Sequence, residues 1–123
     1  VILTDRGSEF SNPKMIECEP SCGIRRTNVF YCDPSSPYQK GSIEVNHELI
    51  RRILPKGTSF DRLTQTDIDH MMNHINSYRR AKLGNKTPYE AFIFYYGKEP
   101  LEKLGYSQID PSCVVMTPKL FKR

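Results

Sequence analysis

Val1-Ile2-Leu3-Thr4 runs into Asp5-Arg6-Gly7-Ser8, and Thr27-Asn28-Val29-Phe30-Tyr31-Cys32, with 22 residues between Thr4 and Thr27, runs into Asp33-Pro34-Ser35-Ser36-Pro37. The first apolar run is too short for a helix and stops at turn-forming residues, so it predicts a buried strand. The second is β-branched and aromatic and ends at a loop signal, which predicts another strand. Between them, Ser11-Asn12-Pro13 is a helix start, and Pro20 and Gly23 limit that helix to about Cys18. The gap is long enough for a crossover, so the stretch predicts a right-handed βαβ unit with parallel strands.

From Ser42 onward the pattern turns helical. Ile43, Leu49, Ile50, Ile53 and Leu54 mark one broad apolar face, ended by Pro55-Lys56-Gly57. Thr64 and Asp67 are spaced as a capping box ahead of Ile68, Met71, Met72, Ile75 and Tyr78, with Gly84 as the stop. Thr87-Pro88-Tyr89-Glu90 opens another helix: Thr87 caps, Pro88 takes the first position, and Glu90 returns a bond. Leu101–Leu104 adds a short turn. Residues 105–123 read as loosely structured, with a short strand possible at Cys113-Val114-Val115-Met116. The fold class is therefore α/β, two short parallel strands with a crossover helix followed by a mainly helical C-terminal half. Its divisions are 1–58, 59–105 and 106–123.

With 123 residues, 37% of them hydrophobic and 11% aromatic, the chain has the means to bury a core, which excludes wholesale disorder. No stretch approaches the ~18 apolar residues of a membrane span. The chain opens without Met or a secretory signal, which reads as a piece of a longer protein in an intracellular setting. The formal charge is +4 and unevenly spread: residues 1–20 carry two basic and four acidic residues, and residues 21–60 six and three. An acidic opening before a basic remainder points to an anionic partner with a carboxylate site near the start, although an ordinary solvated surface has the same look.

Two carboxylates stand out. Asp5 follows a strand at its carboxyl end, where open α/β sheets place ligands. Glu44 lies in the first turn of the helix after the second strand. Glu48 has Arg52 four residues on, whereas Glu44 has no such partner; favouring the helix dipole is the plainer explanation of its position. Cys18 and Cys22, with His70 and His74 on one helix face, have zinc-compatible spacings, but 47 residues separate the pairs. Free buried thiols and a helix-surface histidine pair explain them better. Arg79, Arg80, Lys82 and Lys86 favour a helix C-terminus by their charge, and equally suit contacts to phosphates.

Thr4-Asp5-Arg6-Gly7-Ser8-Glu9-Phe10 resembles the TDxGxEF signature around the second catalytic aspartate of DDE transposases and retroviral-type integrases. Asp33 to Asn46 is similar to the loop and helix start that carry their catalytic glutamate. Leu54-Pro55-Lys56-Gly57-Thr58, Asn76 to Gly84 and Thr87-Pro88-Tyr89-Glu90-Ala91-Phe92 resemble the bacterial insertion-sequence-thirty group. The resemblance implies that residues 1–58 are the C-terminal half of an RNase H-like catalytic core, 59–105 its helical extension and 106–123 a tail. It implies Asp5 and Glu44 as catalytic, metal-binding acids holding Mg²⁺ or Mn²⁺ in a two-metal site, with the family's first acid upstream of this stretch. It further implies DNA as partner, contacted by Arg79, Arg80, Lys82 and Lys86 and secondarily by Lys40, Arg51 and Arg52. The expected activity is cleavage and strand transfer at insertion-sequence ends by a homo-oligomer in the bacterial cytoplasm, nucleoid-associated and free of the membrane. A non-enzymatic DNA-binding or self-associating module is the alternative, because the first acid is absent. Arg6 stands where Asn is common, and Tyr38 where relatives often have Trp.

Overall fold

The computed structural model describes residues 1–121, apart from the side chains of Pro37 and Lys40. The candidate DNA contact at Lys40 thus lies outside the described residues. Strand β1 (Ile2–Thr4) pairs in parallel with β2 (Val29–Tyr31), in the register Ile2↔Val29, Leu3↔Phe30, Thr4↔Tyr31. The ladder extends one bond at each end, from the Ile2 amide to the Asn28 carbonyl and from the Cys32 amide to the Thr4 carbonyl, both 2.8 Å.

The crossover is only partly helical. Helix α1 (Pro13–Glu17) has its proline in the first turn and ends at the extended Cys18. Cys18 then bridges Arg25 in antiparallel fashion around a turn in which Gly23 takes a left-handed φ of 70°. That conformation suits glycine, which has no Cβ to clash. Glu17 ties this turn to β2: its carboxylate accepts from the Arg25 guanidinium at 3.0 Å and from the Val29 amide at 3.2 Å.

The chain divides into two compact units, Val1–Val45 and the part from Asn46 onward. Helix α2 (Gly41–Ile53) begins in the first and continues into the second. The division falls inside a helix because the apolar face predicted for this stretch is concentrated toward its C-terminal end. Leu49, Ile53 and Leu54 are buried, whereas Ile43 is exposed. In the first unit β1 is not the buried strand its composition predicts. Thr4 and Cys32 are buried, but Ile2, Leu3 and Phe30 are exposed, since two strands and one short helix offer too little to cover both sheet faces.

The second unit holds the larger core. Leu49, Ile53, Leu54, Met71, Ile75, Tyr89 and Leu101 are buried, drawn from α2, α3 (Gln65–Asn76), α4 (Pro88–Tyr96) and α5 (Glu99–Lys103) or its flanks. Both expected capping boxes form. Thr64 accepts from the Asp67 amide while the Asp67 carboxylate accepts from the Thr64 amide, and Thr87 and Glu90 repeat the exchange.

Four further expectations are corrected. Residues 106–121 are not loose: the Ile109 amide donates to Ser77 Oγ at 2.9 Å, the Val115 amide to His74 Nδ1 at 3.0 Å and the Ser107 amide to Asn73 Oδ1 at 3.3 Å. Cys113–Met116 forms no strand; a 3₁₀ turn at Pro111–Cys113, capped by Asp110, takes its first residue. His74 is not a surface histidine but is buried in α3, and of this pair only His70 is exposed. All four thiols are free, yet Cys32 alone is buried; Cys22 and Cys113 are exposed.

Candidate catalytic and nucleic-acid-binding residues

Because β1 and β2 run in parallel, their carboxyl ends open on the same side. Asp5 is the first residue beyond β1 and is exposed, while its neighbour Thr4 is 3% exposed. One of its carboxylate oxygens, Oδ1, accepts from the Gly7 amide at 3.0 Å. That local turn fixes the direction in which Asp5 leaves the strand. A Cβ at Gly7 would meet the Glu9 carboxylate at 2.5 Å, a contact that the exposed, flexible Glu9 side chain can relieve by moving. Arg6 is turned over the Tyr31 ring, with its guanidinium carbon 6.0 Å from the centroid. This cation–π contact holds Arg6 against β2. The Tyr31 hydroxyl in turn donates to the Phe10 carbonyl.

Glu44 is exposed in the first turn of α2. The stretch leading to it is shaped by a pair that the sequence reading does not single out. Gln39 Oε1 accepts from the Asp33 amide at 2.7 Å, and Gln39 Nε2 donates to the Asp33 carboxylate at 2.9 Å. This two-point clasp closes the loop after β2 before the 3₁₀ turn Pro37–Lys40 enters α2. Asp33 follows β2 much as Asp5 follows β1, and that parallel is the signal by which it can be found. Asp5, Asp33 and Glu44 all belong to the first unit. Among the described residues, no group of three or more His, Cys, Asp and Glu side chains is gathered closely enough to hold a metal ion.

The candidate cations differ in what they do. Arg51 and Arg52 are exposed in the last turn of α2. Arg79, Lys82 and Lys86 are exposed as well. Arg80 instead serves the fold: its guanidinium donates to Asn46 Oδ1 and to the Ile75 carbonyl, both at 3.0 Å, closing the end of α3. Burial lowers its pKa from the usual arginine range. Arg80 also anchors the loop that displays the lysines. Its amide donates to the Lys86 carbonyl and its carbonyl accepts from the Asn85 amide, both at 3.0 Å. Gly84 and Asn85 turn the loop with left-handed φ of 65° and 64°.

The chain is 37% identical over 92 residues to the integrase ORF3 of Spiroplasma virus SpV1-R8A2 B, covering 75% of this chain and 27% of that protein. It is 37% identical over 86 residues to the transposase InsI of insertion sequence element IS30A of Escherichia coli, covering 70% of this chain and 21% of the transposase. To the transposase of element IS1086 of Cupriavidus metallidurans it is 33% identical over 84 residues, covering 68% of this chain and 23% of that protein. The aligned region thus spans about a quarter of the length of these relatives. No family model and no solved structure matches the chain. The chain is therefore homologous to a segment of the insertion-sequence transposases and of a viral integrase.

Proposed function

We propose that this chain is part of an enzyme that cuts DNA and joins it at the ends of a mobile element, by metal-dependent phosphoryl transfer on a DDE-type, RNase H-like core. The observation that carries this reading is the position of Asp5. It leaves the carboxyl end of β1 in a parallel pair, within a TDxGxEF segment, in a chain homologous to transposases. Asp5 and Glu44 are exposed carboxylates of one compact unit, and hard oxygen donors of this kind fit Mg²⁺ or Mn²⁺. When bound, such ions activate a water or a 3′-hydroxyl and stabilise the leaving oxygen of an in-line displacement. Asp5 accepts from the Gly7 amide in its turn, and Glu44 stands in the first turn of α2, so both acids are carried by defined local backbone. With two of the three acids, the chain by itself is inactive in this reading. Arg51, Arg52, Arg79, Lys82 and Lys86 supply exposed charge for DNA phosphates, while Arg80 shapes the loop that presents two of them. The protein acts as a homo-oligomer on nucleoid DNA in the cytoplasm.

Asp5→Asn or Glu44→Gln in the transposing protein should abolish strand transfer and leave DNA binding within about twofold, since each removes a carboxylate charge from the proposed metal site while keeping the size and shape of the side chain. Normal transfer by either variant overturns the assignment.

A further inference from the structure

We propose that the exposed aromatic end of α4, together with the lysine loop beside it, is a stacking platform for unpaired DNA bases. This deepens the DNA reading above and rests on it. Residues 91–96 read Ala-Phe-Ile-Phe-Tyr-Tyr, and a helix apolar on every side is normally buried. Here Phe94, Tyr95 and Tyr96 are 76%, 74% and 69% exposed. Phe94 and Tyr95 meet edge to face with centroids 5.2 Å apart, and Tyr96 packs at 4.9 Å against Phe92, so the rings brace one another while remaining open to solvent.

Charge selects the occupant. Lys86 Nζ lies 5.6 Å from the Phe94 ring centroid, joining the loop of Lys82 and Lys86 to the aromatic end of the helix. Among the described residues neither lysine pairs with a carboxylate. The one acid in α4, Glu90, is spent on the Thr87 amide at the far end of the helix. Open ring faces beside unpaired cations match a single strand, whose bases stack on aromatics while its phosphates seek positive charge. Duplex DNA offers the same phosphates with its base faces already stacked. A strand with unpaired bases is therefore the partner this surface fits, and frayed or cleaved DNA ends provide one.

The test is fluorescence anisotropy of the protein with a labelled single-stranded 15-mer and, separately, with a blunt duplex of the same sequence. Phe94→Ala/Tyr95→Ala should weaken single-strand binding about tenfold and duplex binding less than twofold. Phe94→Trp should restore the single-strand affinity toward that of the parent. Lys82→Ala/Lys86→Ala should weaken both and reduce the dependence of affinity on salt by roughly one to two ions. Circular dichroism melting confirms that each variant is folded; these side chains are exposed and should be replaceable without unfolding. An aromatic variant that is folded and loses neither affinity overturns the platform while leaving the DNA reading intact. Equal loss on both DNAs, or an aromatic variant that changes sedimentation instead of DNA affinity, also overturns it, the latter by identifying a protein surface. No binding of the parent to either DNA overturns the DNA reading itself.

Discussion

His74 shows how one side chain changes meaning when its surroundings are known. It stands four residues from His70 on α3, and their rings meet edge to face with centroids 4.8 Å apart. Burial and the neighbouring His70 lower its pKa from the usual histidine value, because a second positive charge in a dry site is unfavourable. Neutral Nδ1 is also what accepts from the Val115 amide 41 residues later, so protonation removes the acceptor that pins the C-terminal segment. The folded pKa is depressed, so the unfolded state binds the extra proton first and stability falls as pH drops below about 6.5. The Val115 amide should accordingly exchange with solvent faster at pH 5 than at pH 7, relative to amides of the α3 core. His74→Asn, which keeps an acceptor but cannot titrate, should remove most of that pH dependence. An unchanged dependence in this variant would assign the effect to His70 or to carboxylates.

At the scale of elements, the clearest cases are those in which chemistry within a few residues decides the outcome. Thr64 and Thr87 each close a capping box, satisfying backbone donors that a helix start otherwise leaves open. Thr87 is also buried, so its loss leaves donors in a drier place than loss of the exposed Thr64. Thr87→Ala should therefore lower unfolding stability by about 1–2 kcal/mol and Thr64→Ala by about 0.5–1 kcal/mol, as read by urea denaturation. Equal effects would mean that burial at Thr87 adds nothing. The same locality explains what can be read without coordinates. The parallel strands, the helix starts, and Asp5 and Glu44 as exposed acids at element ends are all legible, because turn and cap residues within a few positions mark them. The anchoring of residues 106–121 is not, nor is the fold-closing role of Arg80. Their partners, Ser77 for Ile109 and Asn46 for Arg80, lie 32 and 34 residues away and carry no local pattern. The Asp33–Gln39 clasp falls between these cases, six residues apart but spanning a loop.

Considered whole, the molecule is unequally finished. The second unit closes a core in which Ile53 and Ile75 are 1% and 0% exposed, whereas the first presents a two-stranded parallel sheet with Leu3 47% and Phe30 54% exposed. A two-stranded sheet is marginal on its own, and parallel strands are ordinarily covered on both faces. The sheet edges compound this, since among the described residues each strand pairs on one side alone in the two-stranded order β1-β2. Unpaired edge amides and carbonyls are templates for further strands. Exposed apolar faces and open edges together favour association, and a second copy of the chain is the simplest cover when nothing else is supplied. Sedimentation velocity should then show concentration-dependent association in the micromolar range, and Leu3→Lys/Phe30→Lys should shift the chain toward monomer without lowering the melting temperature of the second unit's core. The substitution acts by placing charge where burial would otherwise have to desolvate it. A parent chain that is monomeric throughout that range would mean that this sheet is stable uncovered.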